Sequence, residues 1–283
     1  MMDIKTIGIL GAGTMGAGIA QVCAQAGFRT ILFDINANAL ATAKETIAQN
    51  LEKSRLKGQL STAEEQATLT LLQFTQDTLD LTVNLVIEAV VEKLEVKQGI
   101  LKEVLALNAP TCILATNTSS IPITRIAAGL AQPERVVGMH FFNPAPLMSL
   151  VEIISGTATS PETMSIITDL VRKLNKTPVQ VQDTPGFIVN RVARPFYTES
   201  LKLLEEQVAD YETIDKLLEA TGFKMGPFRL MDLIGNDVNL AVTTSLFQAF
   251  QQEAKFRPSR IQERKVDAGH LGRKTGKGFY DYS

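Results

Sequence analysis

The chain has 283 residues, of which 45% are hydrophobic and 20% are charged. This composition is that of a globular protein with one or two domains, and it excludes a disordered chain, a collagen and a coiled-coil rod. The 28 basic and 30 acidic residues give a formal net charge of −2, so we expect no general binding to the phosphate backbone of nucleic acids.

Cysteine content and hydropathy predict where the protein resides. The two cysteines, Cys23 and Cys112, allow at most one disulfide, and we interpret both as small buried side chains in a reducing compartment. No apolar run reaches the ~18 residues that a membrane span requires. A strand-like run follows Lys5 directly and leaves no room for a signal peptide. The sequence therefore predicts a cytoplasmic protein without a membrane anchor.

Short apolar runs alternate with helical stretches through the first half of the chain. The predicted strands lie at 6–10, 30–33, 84–89 and 112–115. The predicted helices lie at 17–26, 37–57 and 93–107. Repeated strand–helix units of this length predict a doubly wound, mostly parallel α/β sheet with helices on both faces.

The pattern changes near residue 130. Two strand-like runs at 135–139 and 150–154 are followed by a predicted helix from Ser160 to about 174 and a last strand at 178–181. A serine followed by proline and glutamate is a typical helix start.

A turn cluster at 183–186 separates this α/β region from a part of the chain that we predict to be almost all helix. We therefore place the domain boundary between 1–184 and 185–283. Pro195 is expected to kink or interrupt the first helix of the second domain, and 272–283 is expected to form a tail that packs on the body.

A glycine motif, G-A-G-T-M-G at 11–16, follows the first predicted strand and opens the first helix. In this context, Gly11 permits the tight turn, Gly13 lets the backbone approach a pyrophosphate, and Gly16 allows close packing of helix and strand. Asp34 ends the second strand, where a carboxylate accepts hydrogen bonds from the ribose hydroxyls of NAD and repels the extra phosphate of NADP. The alternative is a simple tight turn, with Asp34 as a helix cap.

His140 is one of two histidines and lies at the end of a predicted strand. Glu152 lies inside the apolar run 150–154, where a buried carboxylate needs a partner. If the two runs pair in antiparallel fashion about Pro146, the two side chains face each other, and the carboxylate can stabilise an imidazolium. The alternative is a structural His–Glu pair without chemistry.

Further polar residues lie where ligands bind in such folds. Asn117–Ser120 follows the strand at 112–115, and the carboxyl ends of the strands form the ligand crevice, although these residues also suit a turn and a helix cap. Asn190 lies after the domain boundary and is unremarkable by itself. Lys53, Arg55 and Lys57 form a basic cluster that is solvated by default and is able to meet phosphates.

Together these motifs resemble the 3-hydroxyacyl-CoA dehydrogenase family, in its short 3-hydroxybutyryl-CoA dehydrogenase form. The likeness covers essentially the whole chain. Besides the glycine motif and Asn117–Ser120, it is carried by HFFNP at 140–144, DTPGFIVNR at 183–191, MGPF at 225–228 and GRKTGKGFY at 272–280. The resemblance implies a Rossmann-like dinucleotide-binding domain at 1–184 and an all-helical domain for substrate binding and dimerisation at 185–283.

The resemblance also implies roles for individual residues. His140 would be the catalytic base and Glu152 its orienting partner, while Ser119 and Asn190 would bind substrate oxygens. The implied cofactor set is Gly11, Gly13, Thr14, Met15, Gly16, Asp34, Glu92, Lys97, Asn117, Asn143 and Lys274. The implied coenzyme A set is Asn50, Lys53, Lys57 and Ser119. No metal site is predicted.

The predicted reaction is the reversible, NAD-dependent oxidation of an (S)-3-hydroxyacyl-CoA, with 3-hydroxybutyryl-CoA as the expected substrate. The resemblance also implies a homodimer formed by the C-terminal helices. Two alternatives stay open. One is a dehydrogenase of the same two-domain build that acts on a free hydroxy acid or sugar acid. The other is a non-catalytic NAD-binding protein of the same fold, because fold alone does not determine function.

Overall fold

The computed structural model describes residues 4–282, which divide into two compact units between Thr184 and Pro185. The first unit is an eight-stranded sheet with flanking helices, and the second is built almost entirely from helices. The predicted fold class, a doubly wound and mostly parallel sheet with a separate helical domain, is confirmed. No helix within residues 4–282 is long and apolar enough to cross a membrane.

The strands of the first unit form one sheet in the order β3-β2-β1-β4-β5-β6-β7-β8. Their bounds are β1 (Thr6–Leu10), β2 (Arg29–Phe33), β3 (Leu72–Thr75), β4 (Leu85–Glu88), β5 (Ile113–Thr116), β6 (Val136–Phe141), β7 (Leu150–Ser155) and β8 (Thr177–Gln182). All neighbours are parallel except β6 and β7, which are antiparallel. The carboxyl ends of β1, β4, β5 and β6 therefore meet at one edge of the sheet, where the predicted site residues are concentrated.

The helices of the first unit connect and cover these strands. They are α1 (Thr14–Gln25), α2 (Ala37–Leu56), α3 (Thr62–Thr70), α4 (Leu94–Leu107), α5 (Ile123–Ala127) and α6 (Pro161–Lys173). The predicted start of α6 is confirmed, because the Ser160 hydroxyl accepts a hydrogen bond from the backbone N–H of Thr163. The core between the helices and the sheet includes Ile7, Ile9 and Leu32, which are fully buried.

Two elements, α3 and β3, were not predicted. The helix α3 is short but begins with a capping box, in which Ser61 and Glu64 each bond the other's backbone N–H. The strand β3 is the edge of the sheet and reads Leu-Gln-Phe-Thr, with all four residues half-buried. The apolar–polar alternation of this strand extends over only four residues, the shortest length at which that pattern indicates a strand, so the sequence signal is weak.

The second unit contains α7 (Val189–Glu205), α8 (Tyr211–Ala220), α9 (Pro227–Ile234), α10 (Asn236–Ala249) and α11 (Arg260–Asp267). The expectation that Pro195 interrupts the first helix is wrong, since α7 continues through Pro195, and a kink at this residue stays a prediction. Proline removes one helical hydrogen bond, but the next turns carry Tyr197 and Leu201 into a buried cluster that also contains Phe228. Packing of the amphipathic face thus offsets the lost bond.

The end of the second unit packs onto its own helices, as predicted. Asp232 on α9 is buried, and its carboxylate accepts hydrogen bonds of 2.9 Å from the backbone N–H groups of Phe279 and Tyr280. Phe279 itself is buried. Hydrogen bonds to a charged group are stronger than neutral ones, so this carboxylate fixes the course of the chain end.

Candidate active site

The glycine motif forms a tight turn whose three glycines have different surroundings. Gly11 has a φ of 97°, and a Cβ there would lie 2.7 Å from the carbonyl oxygen of Ala89. A Cβ on Gly16 would lie 1.7 Å from the carbonyl oxygen of Gly11, whereas a Cβ on Gly13 would meet nothing within 4 Å. Gly11 and Gly16 are therefore needed to close the turn, whereas Gly13 leaves open space beside it.

That open space belongs to a cleft of about 430 Å³ in the first unit. It is bordered by the glycine turn, the facing sides of α1 and α2, and the loop at 143–146. Gly13 precedes α1 without a side-chain cap, so the first N–H groups of the helix and the positive end of its dipole face an anion-sized space. These residues fit the pyrophosphate of a dinucleotide.

Asp34 closes the turn from the side of β2. One carboxylate oxygen accepts the Ala12 N–H at 2.7 Å, and the other accepts the Asn36 N–H at 2.8 Å. The helix-cap interpretation of Asp34 is wrong, because Asn36 is the residue that caps α2. A carboxylate has about four lone-pair sites, so two backbone bonds leave Asp34 able to accept ribose hydroxyls.

His140 and Glu152 form a buried hydrogen-bonded pair across two strands. They are direct partners in the antiparallel register of β6 and β7, and His140 Nδ1 lies 2.8 Å from Glu152 Oε2. The histidine is 6% exposed and the glutamate 1%, and the Phe142 ring lies 4.6 Å from the imidazole, centroid to centroid. The predicted pairing is confirmed. A carboxylate on Nδ1 fixes the tautomer and supports a positive charge on the ring.

The turn after β5 is organised around Glu92. Glu92 Oε1 accepts hydrogen bonds from the Thr118 hydroxyl at 2.6 Å and from the backbone N–H groups of Ser119 and Ser120 at 2.9 and 3.1 Å. Burial raises the pKa of Glu92, but the Lys97 ammonium and the bonds from Thr118 and Ser119 outweigh it, so the net pKa is below its usual 4.5. Glu92 therefore holds Ser119 in place as an anion.

Asn117 connects this turn to β6. Its side-chain oxygen accepts the backbone N–H of Phe141 at 2.8 Å, one residue after His140. The expectation that Asn117–Ser120 caps the next helix is wrong, because Asp183 accepts the N–H groups of Ile123 and Thr124 at the start of α5. The hydrogen bonds of this turn therefore connect β5 to β6 and to Glu92.

Lys97 lies beneath the turn and is 1% exposed. Its ammonium contacts Glu88 Oε1 at 2.7 Å, Glu88 Oε2 at 3.0 Å and Glu92 Oε2 at 3.1 Å. Thr116 donates a further bond of 2.6 Å to Glu88. Three carboxylate oxygens surround the ammonium. The predicted contact of Lys97 with the cofactor would therefore be indirect, through Glu92. Sequence reasoning missed Glu88, although a carboxylate in the apolar strand Leu-Val-Ile-Glu is the same signal that drew attention to Glu152.

The predicted coenzyme A residues on α2 do not behave alike. Asn50 and the cofactor residues Gly13, Thr14 and Asn143 line the same cleft. Lys53 and Lys57 are exposed and lie outside its lining. Arg55 is held by Glu65 at 2.6 Å, so it is not an available phosphate contact. Met15 is partly buried against the core.

Asn190 and Lys274 lie in the second unit. Asn190 is in the first turn of α7. The ammonium of Lys274 lies 2.6 and 2.7 Å from the two carboxylate oxygens of Asp237. Their implied contacts with substrate and cofactor stay predictions that rest on the family resemblance.

Comparison with known proteins gives the same family for both units. Residues 6–184 match the NAD-binding domain of 3-hydroxyacyl-CoA dehydrogenase, and residues 186–282 match its C-terminal domain. Over its whole length the chain is 48% identical to 3-hydroxyadipyl-CoA dehydrogenase from Escherichia coli, and it spans 60% of that protein. It is 42% identical over 99% of its length to 3-hydroxybutyryl-CoA dehydrogenase from Bradyrhizobium diazoefficiens, of which it spans 96%.

Solved structures agree with this assignment. The crystal structure of (S)-3-hydroxybutyryl-CoA dehydrogenase from Ralstonia eutropha superposes with a TM-score of 0.94 at 40% identity, and the match covers 99% of this chain and 100% of that one. The chain belongs to the 3-hydroxyacyl-CoA dehydrogenase family, and its first unit is the NAD-binding domain of that family.

Proposed function

We propose that the protein catalyses the reversible oxidation of short-chain (S)-3-hydroxyacyl-CoA esters, 3-hydroxybutyryl-CoA among them, to 3-oxoacyl-CoA with NAD as the oxidant. The observation that carries this proposal is the buried contact of 2.8 Å between His140 Nδ1 and Glu152 Oε2, at the sheet edge that also bears the glycine turn. A proton acceptor beside a dinucleotide site is what alcohol oxidation requires.

In the proposed mechanism, His140 takes the proton of the C3 hydroxyl through Nε2, while Nδ1 stays with Glu152. Bound NAD supplies the acceptor for the hydride that leaves C3. The C3–O bond becomes a carbonyl as the O–H and C–H bonds break, and Glu152 stabilises the imidazolium that forms. Ser119 positions the substrate oxygen, and the proposed contact of Asn190 serves the same purpose. In the reverse direction His140 returns the proton.

The residues proposed to hold the cofactor surround the cleft of the first unit or support its walls. The glycine turn and Thr14 would bind the pyrophosphate, and Asp34 would bind the adenosine ribose. Asn143 borders the same cleft. Met15, Asn117 and Lys274 complete the proposed set, while Glu92, supported by Lys97, fixes the turn at 117–120.

The coenzyme A moiety is proposed to lie along α2. Asn50 faces the cleft, and its amide donates to Gln21 at 3.3 Å, so it is placed to contact a ligand there. Lys53 and Lys57 are exposed cations near the end of the same helix. They would attract the phosphate groups of coenzyme A electrostatically, and salt would screen this attraction.

We also propose that 1–184 acts as the dinucleotide-binding domain and 185–283 as the domain for substrate binding and dimerisation. A homodimer is supported by the large apolar side chains that the second unit exposes. A cytoplasmic location is supported by the two buried free cysteines, Cys23 and Cys112.

The test of the proposed function compares acetoacetyl-CoA with free acetoacetate as substrates for NADH oxidation, with NADPH as a parallel cofactor. We expect turnover with acetoacetyl-CoA and NADH, and far slower turnover with NADPH because Asp34 repels its extra phosphate. A preference for free acetoacetate would contradict the coenzyme A assignment. NADH binding without turnover of any hydroxy or oxo substrate would indicate a non-catalytic protein.

A further inference from the structure

Arg194 on α7 is a buried cation that the proposed mechanism does not use. The residue is 4% exposed, and its Nη1 donates to the Asn239 carbonyl at 3.1 Å and the Thr243 hydroxyl at 3.0 Å. Burial lowers the pKa of Arg194 to about 10, opposed by the nearby Tyr197, so the group is charged at neutral pH. No carboxylate within residues 4–282 forms an ion pair with it. Buried charges normally have a partner of opposite sign.

The same region contains unsatisfied hydrogen-bond donors. Four buried side-chain atoms of the described residues lack a partner, and two of them are donors on the contacting residues Arg194 (Nε) and Asn239 (Nδ2). Buried donors are seldom left unpaired in native proteins. An anionic acceptor would satisfy both donors and the charge together, and a carboxylate does so best because it accepts two parallel bonds from a guanidinium.

The position of Arg194 suggests where this carboxylate comes from. Arg194 follows Asn190 by four residues on α7, so the two side chains share one face of the helix, about 6 Å apart along its axis. Asn190 is proposed to bind an oxygen at C3 of the substrate. An acyl chain that runs along this face from C3 would bring its far end toward Arg194.

We propose that Arg194 binds a carboxylate at the distal end of the acyl chain, so that the preferred substrates are coenzyme A esters of 3-hydroxy dicarboxylic acids. This inference rests on the proposed function and narrows its substrate class. The ring of Tyr197, whose centroid lies 5.0 Å from the guanidinium carbon, packs against the cation, and Asn239 supplies a second donor. A methyl-ended chain of equal length would leave the cation without an anion. A site with buried polar groups discriminates strongly against a substrate that leaves them unpaired.

The test compares two esters of equal chain length, 3-oxoadipyl-CoA and 3-oxohexanoyl-CoA, with NADH and the full-length protein. Wild-type protein should show a kcat/KM at least ~10-fold higher for the dicarboxylic ester. Arg194→Met should lower kcat/KM for 3-oxoadipyl-CoA by about 100-fold and leave the value for 3-oxohexanoyl-CoA within about threefold. Arg194→Lys, which keeps the charge but loses the paired donors, should fall between the two.

Three results are informative. Equal kcat/KM of the wild-type protein for both esters would overturn the inference, and this measurement decides it even if Arg194→Met does not fold. An equal loss for both esters in a folded Arg194→Met variant would assign the arginine a structural role or a partner in a second copy of the chain, and would also overturn it. Failure of the wild type to reduce either ester would overturn the inference, and failure with acetoacetyl-CoA as well would contradict the proposed function itself.

Discussion

Two buried glutamates of the sheet, one in β4 and one in β7, each pair with a basic side chain at the candidate site. Glu152 and Glu88 each lie in an apolar strand and are at most 1% exposed. Glu152 is matched by the imidazole of His140 and Glu88 by the ammonium of Lys97. A buried carboxylate without such a partner would be strongly destabilising. The first pair is the one proposed to carry the proton chemistry, and the second supports the turn that carries Ser119.

The glycine turn allows a matched pair of substitutions at the residue scale. Gly13 has a φ of −68°, which alanine adopts readily, and its Cβ would enter open space. We therefore expect Gly13→Ala to change the free energy of unfolding by no more than about 1 kcal/mol while raising the Kd for NADH at least ~10-fold, because the methyl group occupies the phosphate position.

Gly16→Ala is the contrasting substitution, because its Cβ would lie 1.7 Å from a backbone oxygen. We expect it to destabilise the fold. Chemical denaturation and fluorescence titration with NADH measure both effects. NADH binding by Gly13→Ala as tight as that of the wild type would show that the pyrophosphate lies elsewhere.

The lowered pKa of Glu92 predicts how its contribution depends on pH. A carboxyl group whose folded pKa lies below its usual 4.5 stabilises the folded state above that value, and the stabilisation is lost as the pH falls through the folded pKa. At pH 7, Glu92→Gln should therefore unfold at lower urea concentration than the wild type. The difference should shrink steadily as the pH falls below 4.5.

Glu103→Gln, at an exposed position on α4, is the control and should follow the wild type throughout. A difference between Glu92→Gln and the wild type that stays constant across this pH range would contradict the account of Glu92.

At the scale of elements, the pair Lys97–Glu88 joins α4 to β4, and Thr116 extends the contact to β5. Lys97→Met leaves a buried carboxylate without its cation, and we expect a loss of about 3–5 kcal/mol in the free energy of unfolding. The double variant Lys97→Met/Glu88→Gln should recover part of this loss, because the buried charge is removed as well.

The exposed ion pair between Arg172 and Asp169 provides the comparison. Arg172→Met should cost less than about 1 kcal/mol. Urea denaturation of all three variants measures these values. A double variant less stable than Lys97→Met alone would mean that Glu88 contributes by contacts other than its pairing with the cation.

The sequence predicted the elements that have a strong local signal and missed those that depend on tertiary contacts. The antiparallel pairing of β6 with β7 about Pro146, which was the condition for His140 to face Glu152, is observed in the sheet. The edge strand β3 was missed because its apolar–polar alternation covers only four residues, which is too short to stand out from the surrounding chain. Lys97 was named only through the family resemblance, as a cofactor residue, and only the packing of α4 on the sheet shows that its side chain is buried.

At the scale of the whole molecule, the second unit exposes several large apolar side chains. Large side chains of this unit that are at least 40% exposed are Ile188, Val192, Val208, Leu217, Phe223, Leu233, Ile234 and Val238. These side chains support the proposed homodimer, and we expect sedimentation to give twice the mass of the chain.

The double variant Val192→Glu/Val238→Glu should dissociate this dimer. Leu79→Glu, at an equally exposed apolar position of the first unit, should leave it intact. A wild-type protein that sediments as a monomer at micromolar concentration would contradict the proposed homodimer.

The most direct test of the enzymatic account is the kcat for acetoacetyl-CoA reduction by NADH in the wild type and in His140→Gln, with NADH binding measured on the same samples. A positioned acid–base group contributes about 10²–10⁴-fold to the rate. We therefore expect His140→Gln to lose at least ~100-fold in kcat while it binds NADH as the wild type does. Turnover of His140→Gln equal to that of the wild type would remove this histidine from the reaction and contradict the account.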